Sequence, residues 1–119
     1  MKTRQVNANL GRVKLSSFSG KSYIHNVFLC NTIIDSDIYQ QRPYIVPIYV
    51  DLFIQSKSGE KTYLCYNKII SDGQGVDLLP DNFNAFLDTS QNELIIYLYC
   101  RDYDNKRNKV SITVNYEPV

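Results

Sequence analysis

The chain has 119 residues and a formal net charge of +1, which fits a single domain large enough to bury a core without disulfides. The near-neutral charge argues against a general nucleic-acid binder, which needs a clustered basic face, and it provides no attraction to anionic membranes. No apolar run approaches the roughly 20 residues of a spanning helix. The N-terminal stretch MKTRQVNANLGRVKL lacks the apolar region of a signal peptide, so we expect a cytoplasmic product.

The first eleven residues are predicted to form a polar N-terminal arm, and residues 12–119 the β domain. The arm shows no clear period and contains few apolar residues, so burial cannot offset the entropy lost when it is ordered alone. We expect the arm to be disordered in the isolated subunit and ordered against a partner, with Val6 and Leu10 as its anchors.

Alternation of apolar residues predicts the strands that follow. Residues 12–18 form a short predicted strand and residues 22–32 a longer one, whose continuous apolar run VFLC indicates a bulge or a strand covered on both faces. Residues 35–44 form a long polar loop. Loops of this length more often make binding contacts than stabilise the fold. Residues 46–69, VPIYVDLFIQSKSGEKTYLCYNKI, contain two apolar runs around a polar, glycine-containing joint and predict a β-hairpin.

The second half of the chain continues the pattern. Residues 76–79 are predicted to be a short strand, and residues 82–87 to hold at most one helical turn. Residues 94–100 and 110–116 alternate again and predict two closing strands around the polar loop at 102–109. Seven or eight strands without an amphipathic helix predict an all-β fold, an antiparallel, jelly-roll-like β-sandwich with under about a tenth of its residues helical. The predicted core comprises the inward aliphatic residues: Ile24, Val27, Leu29, Ile48, Val50, Leu52, Ile54, Leu64, Ile69, Leu79, Leu94, Ile96, Leu98, Val110, Ile112 and Val114.

The sequence contains no pattern typical of catalysis or metal binding. His25 is the only histidine, and its position on a predicted strand favours an ordinary strand side chain over a general base, which would need a nucleophile and an orienting carboxylate. The loop DYDN at 102–105 has acidic residues at alternate positions that could ligate Ca²⁺, but Lys106 and Arg107 follow where further ligands should lie. A solvated turn is the better interpretation. We predict a protein that is not an enzyme and has no metal and no cofactor.

The three cysteines, Cys30, Cys65 and Cys100, lie in the predicted strands. An odd number without a signal peptide indicates reduced thiols, and free strand cysteines are most often small buried hydrophobic side chains. A zinc site would need Cys or His pairs at short spacing, which the sequence lacks.

The composition is unusual in its ten tyrosines and its lack of tryptophan. A tyrosine combines an apolar ring with a polar hydroxyl, which suits a subunit interface or a sugar-stacking face, although tyrosine also favours strands on its own account. The tyrosines predicted to face outward are Tyr23, Tyr49, Tyr63, Tyr97, Tyr99 and Tyr103. The interface candidates are Val6, Leu10, Tyr39, Tyr44, Tyr97 and Tyr99.

Five segments taken in chain order form a pattern. SFSGKSYIHNVFLCNT is a turn followed by a strand, and VPIYVDLFIQSKSGEKTYLCYN is a hairpin. IISDGQGVDLLP passes through a glycine turn into a short apolar segment, and ELIIYLYCRD with KVSITVNYEPV closes the domain. This order resembles the small all-β virion proteins of tailed bacteriophages, over residues 18–117. The loop at 35–44 and the many tyrosines depart from the compact form of that group.

The resemblance implies a non-enzymatic structural subunit of a phage virion, made in the host cytoplasm and placed in the capsid decoration, the neck or the tail. Proteins of this group are β-sandwiches that assemble in rings or trimers. The implied partners are therefore further copies of the chain and other virion proteins, with no nucleic acid and no membrane. The alternative is a carbohydrate-binding β-sandwich module whose tyrosine face or loops bind a glycan.

Overall fold

The computed structural model describes residues 1–32, 48–71, 75–80, 83–100 and 109–119, which contain nine β-strands and no helix. In chain order the strands are β1 (Lys2–Asn9), β2 (Gly11–Lys14), β3 (Lys21–Thr32), β4 (Ile48–Ser56), β5 (Lys61–Ile70), β6 (Gly75–Asp77), β7 (Ala85–Asp88), β8 (Asn92–Tyr99) and β9 (Lys109–Pro118). Every pairing is antiparallel, so the predicted all-β antiparallel fold is confirmed. Within the described ranges nothing forms a helix that could cross a membrane.

The strands form two sheets that pack face to face in a sandwich-like arrangement. Sheet A has the order β1-β9-β3, and both β6 and β7 pair with the remaining edge of β3. Sheet B has the order β2-β8-β4-β5. The chain passes from sheet A to sheet B between β1 and β2, with only Leu10 between them. Each sheet therefore has one face towards the core and one outer face.

Inward aliphatic side chains fill the space between the sheets. Alternation along β8 and β9 buries six of them: Leu94, Ile96, Leu98, Val110, Ile112 and Val114. The other predicted core residues are buried too, apart from Ile69 and from Ile54 and Leu64, which are half-buried against the core. The period of two therefore located most of the core correctly.

The prediction that Ile69 lies in the core is wrong. β5 ends with Ile70 paired to Ile48, both fully buried. Alternation from Ile70 turns Ile69 outward, where it is 55% exposed. β5 shifts register twice against β4, within residues 50–53 of β4. Counting alternate residues along the sequence therefore does not reveal that Ile69 faces outward.

The two local features predicted for β3 and for the β4–β5 hairpin are present. The register of β3 against β9 shifts between Ile24 and Asn26, so β3 has a bulge, one of the two predicted alternatives, although it lies just before the apolar run at 27–30. In the hairpin loop, the backbone N–H of Ser56 donates to the carbonyl of Glu60 at 2.9 Å. Gly59 has φ of 92° there, a conformation that glycine adopts without steric cost.

The expectation of a disordered arm is wrong, because the residues after Met1 form β1 at the edge of sheet A. β1 pairs with β9 in an unbroken register of eight residues. Ala8 is buried, and Val6 and Leu10 pack against the core. Lys2 and Arg4 occupy the preceding inward positions, so the alternation is hidden in the sequence.

The helical turn predicted at residues 82–87 is also wrong where the structure describes it. Residues 85–88 form β7, which pairs with the start of β3. Ala85 and Leu87 are buried and Phe86 is exposed, which is the alternation of a strand. The short strand predicted at 76–79 is present as β6, at residues 75–77.

Adjacent substitutions on β1 test whether it belongs to the folded domain. Ala8→Asp places a charge on the core side and should lower the free energy of unfolding by about 3 kcal/mol. Asn7→Asp changes an exposed, outward residue and should stay within about 0.5 kcal/mol of the parent. Urea unfolding followed by circular dichroism measures both. Equal, small effects would show that β1 does not dock on β9.

A second pair tests the orientation of β9. Val114→Asp places an unpaired charge at a position with no exposed surface and should prevent folding, at a cost of about 4 kcal/mol or more. Ser111→Asp adds the same charge on the outer face and should be tolerated. Thermal melts of the two variants decide between them, and similar losses in both would mean that the register is wrong.

Candidate functional site

Six aromatic side chains lie on the outer face of sheet B, which we call the aromatic face: Tyr49, Phe53, Tyr63, Tyr66, Tyr97 and Tyr99. They belong to β4, β5 and β8. On β4 and β8 they alternate with buried aliphatic residues, so the alternation that builds the core also gathers these rings on the opposite side of the sheet. Their contacts divide them into two groups of three.

Tyr99 anchors the first group. Its ring stacks on Tyr49 with centroids 5.6 Å apart and lies 5.2 Å from the ring of Tyr97. Its hydroxyl donates to Asn67 Oδ1 at 2.8 Å and lies 3.3 Å from Asp51 Oδ1. Asp51 Oδ1 also accepts the backbone N–H of Asn67 at 2.6 Å. These bonds connect β8 to β4 and to the edge strand β5, so they hold the Tyr99 ring in place beside its neighbours.

The second group includes a buried ring on the outer side of sheet B. Phe53 and Ile95 are register partners that are buried yet lie outside the main core cluster. Tyr63 lies 5.4 Å from Phe53 and 5.1 Å from Tyr66 between ring centroids. Lys61 Nζ lies 4.8 Å from the Phe53 centroid, within the range of a cation–π contact. Sheet B therefore buries apolar surface on both of its faces.

Much of the aromatic face remains accessible. Tyr97 is 42% exposed, Tyr63 45% and Tyr66 69%, and Ile69 on the same edge strand is 55% exposed. Exposed apolar side chains grouped on one face mark a candidate interaction surface, and aromatic enrichment distinguishes the centres of protein interfaces from the rest of a surface.

Polar side chains border the rings on the β2 side of the sheet. Arg12 Nη2 donates to Gln55 Oε1 at 2.6 Å, and Lys14 Nζ lies 3.4 Å from Glu93 Oε1. Solvent-exposed pairs of this type contribute little to stability. They do give the face an apolar centre with a polar margin, which is the usual composition of a protein interface.

The predicted interface residues separate in the structure. Tyr97 and Tyr99 lie together on the aromatic face, whereas Val6 and Leu10 pack partly against the protein's own core. Of the other outward tyrosines, Tyr23 lies on sheet A, not on the aromatic face. Three tyrosines lie outside the described residues: Tyr39, Tyr44 and Tyr103.

Sequence reasoning missed four members or neighbours of the aromatic face: Phe53, Tyr66, Ile69 and Ile95. Phe53 and Ile95 could have been predicted as part of this face, because each is an apolar residue at an outward position of a strongly alternating strand. Tyr66 and Ile69 could not, because the bulges of β5 change which residues face outward.

His25 is a strand side chain, as predicted, and it lies at the bulge of β3. Its Nδ1 lies 2.8 Å from Asn84 Oδ1, and its Nε2 lies 3.0 Å from Glu117 Oε2. A histidine general base needs a ring nitrogen available to the substrate, and here both nitrogens contact neighbouring side chains. In the described part of the chain, no three His, Cys, Asp or Glu residues cluster where they could hold a metal ion.

The three cysteines are free and half-buried. Cys65 Sγ lies 3.8 Å from the carbonyl of Val50. Burial raises the pKa of the Cys65 thiol above its ordinary value, so Cys65 stays protonated near neutral pH and is a poor nucleophile.

A cleft of about 300 Å³ lies between the β4–β5 hairpin loop and the turn before β8. Its polar groups already bond within the turns. Ser56 Oγ lies 2.8 Å from Ser58 Oγ, and Asn92 Oδ1 accepts the backbone N–H of Asp88 at 3.1 Å. The cleft therefore follows from local turn structure, and the aromatic face is the better candidate site.

No protein-family model, curated protein or solved structure matches the chain. The chemistry of the two outer sheet faces is therefore the basis for assigning a function to the protein.

Substituting the two neighbouring tyrosines of β8 tests the anchoring role of Tyr99. Tyr99→Phe removes the hydroxyl that bonds Asn67 and should lower the free energy of unfolding by about 1 kcal/mol. Tyr97→Phe is the matched control and should change it by no more than about 0.5 kcal/mol. Urea denaturation with both variants measures the difference. A larger loss for Tyr97→Phe would contradict the assignment.

Proposed function

We propose that this protein is a non-enzymatic structural subunit of a phage virion, in the capsid decoration, the neck or the tail. It assembles with copies of itself in a ring or trimer and contacts other virion proteins. The observation that supports assembly is the aromatic face of sheet B. The sequence pattern of residues 18–117, which resembles small virion proteins, supplies the setting.

Physical reasoning favours a protein partner for this face. Fully burying a Phe-sized side chain contributes roughly 1.5–3 kcal/mol. Four residues of this face keep between 42% and 69% of their surface exposed: Tyr63, Tyr66, Tyr97 and Ile69. Tyr99 and Phe53 beneath them are held by hydrogen bonds and packing, so the rings lose little conformational entropy on binding. A preorganised aromatic patch of this kind is where interface hot spots are found.

The remaining features are compatible with a structural role. His25 contacts Asn84 and Glu117 through its two nitrogens, and the Cys65 thiol is protonated near neutral pH. In this proposal the protein functions by binding other chains through its surface. This proposal places the mature protein in the virion, after synthesis in the host cytoplasm.

Sedimentation of matched variants tests the proposal. We expect the full chain to form a discrete oligomer as its concentration rises. Tyr97→Ser and Tyr66→Ser should each weaken that association about tenfold or more, because each removes a ring from the patch. Tyr23→Ser is the control, since Tyr23 is 43% exposed, much as Tyr97 is at 42%, but lies on sheet A.

Two results of the sedimentation experiment would contradict the proposal. If the parent stays monomeric at every concentration and joins no larger particle, the structural-subunit proposal fails. If Tyr23→Ser disrupts the oligomer and Tyr97→Ser does not, assembly takes place through sheet A and the aromatic face is not the interface. Circular dichroism of each variant confirms that the fold is retained.

A further inference from the structure

The outer face of sheet A has a chemistry of its own. In the middle of β1 and β9 the outward residues form three cross-strand pairs: Thr3 with Asn115, Gln5 with Thr113, and Asn7 with Ser111. All are amides or hydroxyls and none carries a charge. We call this surface the polar face.

Hydrogen bonds connect the polar face across four strands. Thr3 Oγ1 donates to Asn115 Oδ1 at 2.9 Å, and Asn115 Nδ2 donates to Asn26 Oδ1 at 3.4 Å. Asn26 Nδ2 in turn donates to Asp77 Oδ2 at 2.8 Å. This chain runs from β1 through β9 and β3 to β6, so it orients the amides before any ligand arrives.

Other groups on the same face keep their hydrogen-bonding capacity. Within the described residues no side-chain hydrogen bond connects Asn7 or Thr113 to a neighbour, and Asn7 is exposed while Thr113 is half-buried. Gln5 Nε2 donates to Ser111 Oγ at 3.3 Å, which leaves the Gln5 carbonyl oxygen available as an acceptor.

Three exposed rings adjoin the polar face on the β3 side. Tyr23 is 43% exposed, Phe28 44% and Phe86 46%. Tyr23 and Phe86 meet edge to face with centroids 5.4 Å apart. The Phe28 ring lies over Gly75, where a Cβ would approach it to 2.7 Å, so the absence of a side chain at Gly75 leaves room for the ring.

The charged residues of this surface lie at its margin, with Lys109 and Glu117 near the two ends of β9, Lys21 at the start of β3 and Asp77 on β6. Asp77 accepts the amide of Asn26 and also the backbone N–H groups of Val27 and Leu79. Glu117 lies against His25. A ligand that fits this surface therefore has no need of charge and offers many hydroxyl groups.

We infer that the polar face, together with Tyr23, Phe28 and Phe86, binds a neutral glycan. A sugar ring presents C–H groups on its face and hydroxyls around its rim. The C–H groups pack on the negative face of an aromatic ring, and the hydroxyls pair with amides and hydroxyls such as those of Asn7 and Thr113. This inference goes beyond virion assembly and concerns a different sheet.

The spacing of the rings favours an extended glycan. Tyr23 pairs with Glu117 and Phe28 with Thr113, so the two rings are separated along β9 by roughly 14 Å at about 3.4 Å per residue. A single sugar ring cannot contact both. The three rings alone would also suit a protein interface. The uncharged amides and hydroxyls of β1 and β9 beside them favour a glycan, because they supply donors and acceptors for its many hydroxyl groups.

An array of neutral and acidic oligosaccharides probed with the full chain tests the inference, followed by titration of the best neutral oligosaccharide. We expect neutral glycans to bind. Phe28→Ala and Thr113→Ala should each weaken the affinity per chain about tenfold in the titration, whereas Tyr97→Ser on the aromatic face should leave the affinity per chain unchanged. Circular dichroism of every variant controls for folding.

Three results would overturn the inference: no neutral glycan on the array binds, only acidic glycans bind, or binding is lost in Tyr97→Ser and kept in Phe28→Ala. Because assembly is measured separately by sedimentation, failure here leaves the virion proposal standing. Loss of assembly with retained glycan binding does the reverse.

Discussion

The two-residue alternation of side chains along each strand is the constraint on which the rest of the structure depends. It places Leu94, Ile96 and Leu98 in the core, and so it must turn the residues between them outward. In sheet B the outward residues include six aromatic rings, while in sheet A they are uncharged amides and hydroxyls along the middle of β1 and β9. The alternation that places aliphatic side chains in the core therefore also determines which side chains form the two outer faces. The different chemistries of these faces suit them to different partners.

Where a bulge interrupts the alternation, additional side chains are turned to the outer surface. The bulge of β3 brings His25 and Asn26 to the outside together, which allows Asn26 to link β9 to β6 through Asn115 and Asp77. The bulges of β5 place Asn67 beside Asp51 and Tyr99 and turn Ile69 outward. In each case an extra residue redirects side chains without disturbing the core.

The sequence allowed the all-β class, most of the core and the central hairpin to be predicted, because aliphatic residues alternate without interruption in β4, β8 and β9. β1 was missed because Lys2 and Arg4 stand at inward positions, and β7 because four residues carry too short a pattern to exclude a helical turn. Of the aromatic face, Tyr97 and Tyr99 could be predicted from their positions on β8. Their grouping with Tyr63 and Tyr66 could not, since cross-strand register and bulges depend on tertiary packing.

We propose that the aromatic face is covered when the protein assembles. Hydroxyl-radical footprinting read by mass spectrometry, on dilute monomer and on concentrated oligomer, measures this side chain by side chain. We expect Tyr63, Tyr66 and Tyr97 to become protected in the oligomer while Tyr23 and Phe86 keep their reactivity. Unchanged oxidation of the aromatic face in a demonstrated oligomer, or protection confined to Tyr23 and Phe86, would contradict this proposal.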